Sequence, residues 1–377
     1  MAETPDRERS RLGELFVFFL RLGLTAFGGP AAHIALMEQG AVERQWLSRE
    51  EFLDIVGGCN LLPGPSSTQV AMALGYRRAR IPGLITAGAC FIVPASLATL
   101  ALAWAYVRYH SLPQTAGLLY GAKPVMVAIV AQALWRLGRS AVKRWTLALV
   151  GGLCLCAAFL GLPPLAILLA AGALVAFPVF ARRRSNVAMT IVAVPFTGAG
   201  ATAAGLGSIA IVFLKMGVVV FGSGYVLLAF LKADLVDRLH WISVQQLLDA
   251  VTAGQMTPGP VFATSTFIGF LLDGWSGAMV ATVAVFLPSF FLAGIVGAVA
   301  GHIRRSELAG AFLDGVNVGA VGLMAQIGFV LGRAAFVNPV AWAIGIISAA
   351  LLLWLRVNAT WLILGGAAAG VLLHVFA

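Results

Sequence analysis

The sequence predicts an all-α polytopic membrane protein. It is read as two homologous repeats of inverted topology, about 10–13 transmembrane segments in all, with broken or re-entrant helices at two Pro-Gly-Pro motifs. Three observations carry this expectation. The chain of 377 residues is 60% hydrophobic and 11% charged, with a mean hydropathy of +0.94, too little charge to cover a soluble surface. Apolar runs of bilayer-crossing length recur from end to end, continuous rather than alternating, which excludes a transmembrane β-barrel. The third observation is that the chain is written twice.

The repeat shows in matched segments. FLRLGLTAFGG (19–29) pairs with FLKMGVVVFGS (213–223) at an offset of 194. QWLSREEFLD (45–54) pairs with HWISVQQLLD (240–249) at 195, as Pro63-Gly64-Pro65 does with Pro258-Gly259-Pro260. Pro94 with Pro288, Ala131-Gln132 with Ala325-Gln326, and Leu137-Gly138-Arg139 with Leu331-Gly332-Arg333 return to 194. The expected units are residues 12–181, a basic linker with one extra span at 182–206, and residues 207–377.

The polar N-terminal arm has no cleavable-signal pattern, so the first helix is expected to stay. A net charge of +10 does not point to nucleic acid here. It sits in short clusters between apolar runs, such as Arg77, Arg78, Arg80 and Arg182 to Arg184, as cytoplasmic loop anchors do. Two topologies satisfy this charge pattern. One has ~13 spans with the N-terminus inside; the other makes each Pro-Gly-Pro segment a re-entrant hairpin, with roughly ten spans and the N-terminus outside. Both make the repeats antiparallel.

Each Pro-Gly-Pro is a firm stop, because proline removes a donor and clashes with the preceding turn. Irregular backbone at membrane depth needs burial in protein or a cavity. It also creates a helix N-terminus whose free N–H groups attract anions. Ser66, Ser67 and Thr68 follow the first break, and Asn60 and Gln255 align just before the two breaks. A simple kink is the alternative for one motif, but two in register point to a site.

Arg21 and Lys215 align within apolar runs. They mark either an anion site or side chains snorkelling to the interface. Lys123 is a one-sided charge, because its repeat partner is Asn317. Asp54 and Asp249 align upstream of the breaks, where they would carry a coupling proton or pair with Arg49 or Arg238. His33 reads as a core histidine. Cys59, Cys90, Cys154 and Cys156 read as small apolar residues, and no His pair has metal spacing, so neither metal nor cofactor is expected.

FLRLGLTAFGGPAAHI, then the WLS–EFLD loop, LLPGPSSTQVAMALGYRRARIPG and FIVPA resemble the CHR family of chromate transporters. FLKMGVVVFGSGYVLLAFL, MTPGPVFATSTFIG and FLPSFF resemble its second domain. The resemblance covers nearly the whole chain and implies the long, two-domain form. It implies export of chromate, a tetrahedral dianion similar to sulfate, across the bacterial inner membrane by a secondary transporter. On this resemblance the anion would be held by Arg21, Gly28, Gly29, Asn60, Pro63, Gly64, Pro65, Ser66 and Ser67. Lys215 and the backbone of Pro258, Gly259 and Pro260 would face them. Half one is expected to supply most polar contacts, since Val261, Phe262 and Ala263 replace Ser66, Ser67 and Thr68. The implied partners are this oxyanion and the lipid bilayer, with no nucleic acid; a homodimer stays open. Transport of another oxyanion, or a channel-like anion pathway, are the alternatives. The chain has no GxxxxGK[ST] motif and no acidic metal cluster in its sequence, so an enzyme is not expected.

Overall fold

The structure, a computed structural model, describes residues 5–109, 113–182, 204–221, 224–303, 307–355 and 357–376. Half one holds helices α1 (Pro5–Thr25), α2 (Gly29–Glu43), α3 (Arg49–Asn60), α4 (Ser66–Tyr109), α5 (Pro113–Ala141), α6 (Trp145–Phe159) and α7 (Pro164–Arg182). Half two holds α8 (Leu206–Val219), α9 (Leu227–Leu231), α10 (Val244–Met256), α11 (Thr264–Ile303), α12 (Glu307–Ala335), α13 (Pro339–Leu353) and α14 (Ala359–Phe376). A π-helical stretch, Lys232–Arg238, extends α9 and completes the counterpart of α2. The expected span at 187–206 falls largely outside the described residues, as do Arg183, Arg184, Gly222 and Ser223.

Among the described residues, five segments are long and apolar enough to cross a membrane: Ser66–Tyr109, Gly117–Ala141, Pro164–Ala181, Val261–Ala298 and Glu307–Ala335. Shorter apolar helices at Trp145–Phe159, Leu206–Val219, Pro339–Leu353 and Ala359–Leu373 join them. Other apolar runs go into helices that stop inside the protein.

The stops are built by the Pro-Gly-Pro motifs. Gly64 and Gly259 take φ of +115° and +94°, a region that costs a residue with a Cβ about 1–2 kcal/mol. The Gly64 N–H donates to Val220 O at 2.6 Å, just past the end of α8. The Gly259 N–H donates to Ala26 O at 2.9 Å, just past the end of α1. Val220 and Ala26 are repeat mates, so each motif satisfies the orphan carbonyl end of the other half's first helix. At membrane depth, such a carbonyl has no water to turn to.

A second pair of breaks, which motif reading did not single out, lies inside α4 and α11. Ala79 and Arg80 have φ of −147° and 50°; their mates Asp273 and Gly274 have −152° and 56°. Each break folds a short helix back as a hairpin. Gly75 then lies against Gly83, and Gly269 against Gly277, so closely that a Cβ on any of them would collide with the facing carbonyl. Both Pro-Gly-Pro segments are thus re-entrant, and Arg77, Arg78 and Arg80 lie at the hairpin's turn rather than in a loop between two full spans.

The inversion is visible in paired neighbours. Along α4, Tyr76, Leu84 and Gly88 meet Gly297, Gly294 and Phe290 of α11, in descending order. Along α5, Val127, Val130 and Gly138 meet Gly332, Gly328 and Val321 of α12. Equivalent helices therefore run antiparallel. The closing hairpins are exchanged: α5 packs on α13 and α14, whereas α12 packs on α6 and α7. Gly121 sits on Gly366 and Gly370, and its mate Gly315 on Ala171 and Gly172. These stripes of small residues let backbones touch where no hydrophobic drive exists. The two halves are repeats in sequence but one packed body in space.

The matched WLS and WIS segments begin helices α3 and α10. Ser48 and Glu51 form a capping box, as do Ser243 and Gln246. The Ser48 backbone N–H, first, together with the Ser48 hydroxyl and Arg77, holds the Glu51 carboxyl below the usual glutamate range.

Candidate functional site

A cavity of about 590 Å³ lies where the broken helices meet. Gly28 and Pro30 bring in the start of α2, and Ser66 brings in the start of α4. The N-termini of these helices present the positive end of the helix dipole to the cavity. Asn60 and Gln255 stand at the C-terminal ends of α3 and α10, whose dipoles oppose an anion there. Their amide groups offset this by placing N–H donors at those ends. Gln255 Nε2 has no protein hydrogen-bond partner among the described residues, while its Oε1 lies 3.5 Å from the Tyr225 hydroxyl.

Charge in the cavity comes from α5 and α12. Lys143 pairs with Asp314 at 2.7 Å. Arg136 lines the same cavity, makes no ion pair among the described residues and lies near enough to Tyr225 to act on it electrostatically. The cavity therefore carries net positive charge, centred on Arg136. Gln132, Asn317 and Asn358 add polar groups from three helices or their ends.

The cavity's mouth lies at one charged end of the molecule. Arg78 pairs with Glu14, Arg77 with Glu51, and Arg49 with Glu38, all at this end, joined by Lys143 and Asp314. Arg139 in the last turn of α5 and Arg144 at the start of α6 stand at the same end.

Of the residues singled out in the sequence, Gly28, Asn60, Ser66 and Gln255 line this cavity. Gly29 lies beside the Tyr225 hydroxyl. Pro63, Gly64, Pro65, Ser67, Pro258, Gly259 and Pro260 form the backbone frame behind it. Gly64 approaches Gln69 and Ser289, and Gly259 approaches Ala95, so neither has room for a side chain.

The two aligned cations lie elsewhere. Arg21 is exposed on the outside of α1, away from the cavity. Lys215 is held by Asp234 at 2.8 Å, and Asp234 is shared with Arg238 at 3.1 Å. Lys123 is not a lone charge: it pairs with Asp249 at 2.7 Å. Asp249 thus binds neither Arg49 nor Arg238. Asp54, its mate, is half-buried and does not line the large cavity. His33 is fully buried, with Nε2 3.2 Å from Ala26 O and its ring edge-on to Phe91, a packed core position.

Sequence reading missed Arg136, Tyr225, Gln132 and Asn358. Arg136 lies in a short basic cluster with Arg139, Lys143 and Arg144, as loop anchors do. One signal was present: at the repeat offset its mate is Val330, so it breaks the symmetry that surrounds it. Among the described residues no group of His, Cys, Asp and Glu could hold a metal, and all four cysteines are free.

Comparison with known proteins places this arrangement. The profile described as chromate transporter matches residues 13–176 and again 207–371. A chromate transport protein of Cupriavidus metallidurans is 32% identical over 95% of this chain and 92% of its own length. A probable chromate transport protein of Synechococcus elongatus is 32% identical over 89% of this chain and 88% of its own. An uncharacterised transporter of Bacillus subtilis, YwrA, is 32% identical across 34% of this chain and 73% of its own length. No solved structure matches. Two family matches in tandem and a multi-pass helical body agree, and the chain belongs to the chromate transporter family, a transport and not a catalytic family.

Proposed function

We propose that the protein is a secondary transporter that exports chromate, binding the dianion in the large cavity between the repeats. One observation carries the reading: a cavity at an inverted-repeat seam gathers Arg136, which has no ion pair among the described residues, two helix N-termini and the amides of Asn60 and Gln255. Arg136 supplies the charge in this proposal, in place of Arg21 and Lys215. Ser66 and the start of α2 supply N–H groups, and Asn60 and Gln255 orient the oxyanion. Relatives bearing chromate in their names support the substrate.

The basic end reads as cytoplasmic by the excess of Lys and Arg there. The cavity then opens to the cytoplasm, as an exporter loading its substrate requires. Moving one charge across 100 mV is worth about 2.3 kcal/mol, and a dianion leaving toward a positive exterior gains roughly twice that. Membrane potential alone is therefore a sufficient drive. In this reading the protein works in a bacterial inner membrane, with the oxyanion and the bilayer as its partners.

The test is radiolabelled chromate uptake into everted vesicles, with sulfate as competitor. Saturable, potential-dependent uptake whose apparent affinity falls by roughly tenfold or more in Arg136→Gln at equal protein level supports the proposal. Flux of sulfate but not chromate would move the substrate to another oxyanion. Normal flux in Arg136→Gln would sink the site.

A further inference from the structure

A second, smaller cavity of about 280 Å³ lies at the opposite end of the α5–α12 pair. Its lining is the repeat image of the large cavity's mouth. Tyr120, Lys123, Ala334, Ala335 and Val337 line the small cavity; their mates Asp314, Asn317, Ser140, Ala141 and Lys143 line the large one. An inverted repeat places such mates on opposite sides of the membrane. The chain thus carries two images of one vestibule, one wide and one narrow.

The surrounding helices differ to match. α10 packs against α5 and brings Asp249 and Gln245 into the small cavity. Its mate α3 does not pack on α12 in this way among the described residues, and Asp54 stays out of the large cavity. Gly224–Val226 and α9 pack on α12, whereas their mate α2 is parted from α5 by the large cavity.

What holds the narrow side shut is a cluster. Lys123 Nζ lies 2.7 Å from Asp249 Oδ1, and the Tyr106 hydroxyl donates to Asp249 Oδ2 at 3.0 Å. The two charged side chains are 12% and 4% exposed, so water screens the pair little. The cluster ties α4, α5 and α10 together. Pro124 follows Lys123 within α5 and removes one helix hydrogen bond there, a built-in place to bend. On the wide side, Asn317 replaces the lysine, so the same ion pair cannot form when that side closes.

We infer that Lys123, Asp249 and Tyr106 form the outer gate of the anion pathway, and that the small cavity is its closed exit vestibule. The conformation with the gate shut is the one that loads from the wide side. Opening the gate and closing α2 and α3 over the wide side exchange the roles of the two repeats. Because one side has an ion pair and the other an asparagine, the resting balance favours the gate-shut state. The inference rests on the transport function proposed above, but its test does not use chromate.

The repeat mates Ser140 and Ala334 serve as reporters. Each is changed to cysteine separately, in full-length chain lacking the four native cysteines, and labelled with a membrane-impermeant maleimide in everted vesicles and in intact cells. In the parent, Ser140→Cys is expected to label readily from the wide side and Ala334→Cys slowly from the other. Asp249→Asn and Lys123→Gln should each raise Ala334→Cys labelling by about tenfold or more and lower that of Ser140→Cys. The exchange Lys123→Asp with Asp249→Lys should restore the slow rate, which mere loosening of the fold would not do. Rapid labelling of Ala334→Cys in the parent, unchanged rates in both single variants, or failure of the exchange to restore would each overturn the gate. Where Ala334→Cys does not accumulate, Val337→Cys is the second reporter, read by the same criteria. Coupled labelling changes without chromate flux would overturn the substrate reading and leave the gate standing.

Discussion

Arg136 and Val330 occupy equivalent places in the two repeats, and in the proposed site that difference sets which half holds the anion. A hydrogen bond to a charged group is worth about 1.5–3 kcal/mol, so Arg136→Gln is expected to weaken chromate affinity by roughly ten- to a hundredfold. Arg136→Lys should recover part of it, because lysine keeps the charge but loses the fork. Concentration dependence of uptake, compared at equal protein level, measures both. Arg21→Gln is the contrasting variant. With its side chain on the outer surface of α1, transport should stay within about twofold of the parent, since exposed substitutions rarely exceed ~0.5 kcal/mol. A collapse of flux in Arg21→Gln would return that residue to the site. Alignment of basic residues across repeats points to Arg21 and Lys215, yet the structure pairs the half-buried Lys215 with Asp234 and turns Arg21 outward. Symmetry marks what builds the frame. A one-sided site is found at positions where symmetry fails.

The broken helices were the most legible elements, because Pro-Gly-Pro has few conformations and none is a continuing helix. Their partners were not legible. Nothing local tells that Gly64 bonds to Val220 or Gly259 to Ala26, contacts between segments about 155 and 235 residues apart that depend on tertiary docking. Gly64→Ala and Gly259→Ala combine a left-handed backbone with a collision, against Gln69 and Ser289 or against Ala95. Each should lower the apparent melting temperature of the detergent-solubilised protein and reduce its yield, by the equivalent of about 2 kcal/mol or more. The hairpin turns behave differently. Gly274→Val should destabilise, while Arg80→Gly, which installs the residue found at the mate position, should be tolerated. At the start of α3, Ser48→Ala should cost about 0.5–2 kcal/mol. The Glu51 carboxyl sits below its ordinary value of 4.5, so its contribution is present above that pH and fades as pH falls through its lowered folded value. Thermal melts of the parent and Glu51→Gln across pH 3 to 6 should converge at the acid end.

At the scale of the molecule, the two repeats were plain in the sequence, and their opposed directions followed from the charge pattern. Their exchange was not. The sequence shows two similar halves, but α5 finds its neighbours in α13 and α14, and α12 finds its own in α6 and α7. A chain cut between residues 183 and 203 should therefore yield two fragments that are each degraded when made alone. Made together, they should be recovered as a pair and transport chromate; stable accumulation of either fragment alone would contradict the exchanged packing. The same exchange sets a schedule for the ribosome. The seat on α5 around Gly121 is filled by Gly366 and Gly370, made about 250 residues later, which at ordinary elongation rates is roughly 10–50 s. For that interval a nascent chain carries an unfilled groove of glycines facing lipid, and any message truncated near its end leaves it unfilled for good. Quality control needs no knowledge of chromate to recognise such a product, because a helix born about 250 residues later is the one that signs off the first half.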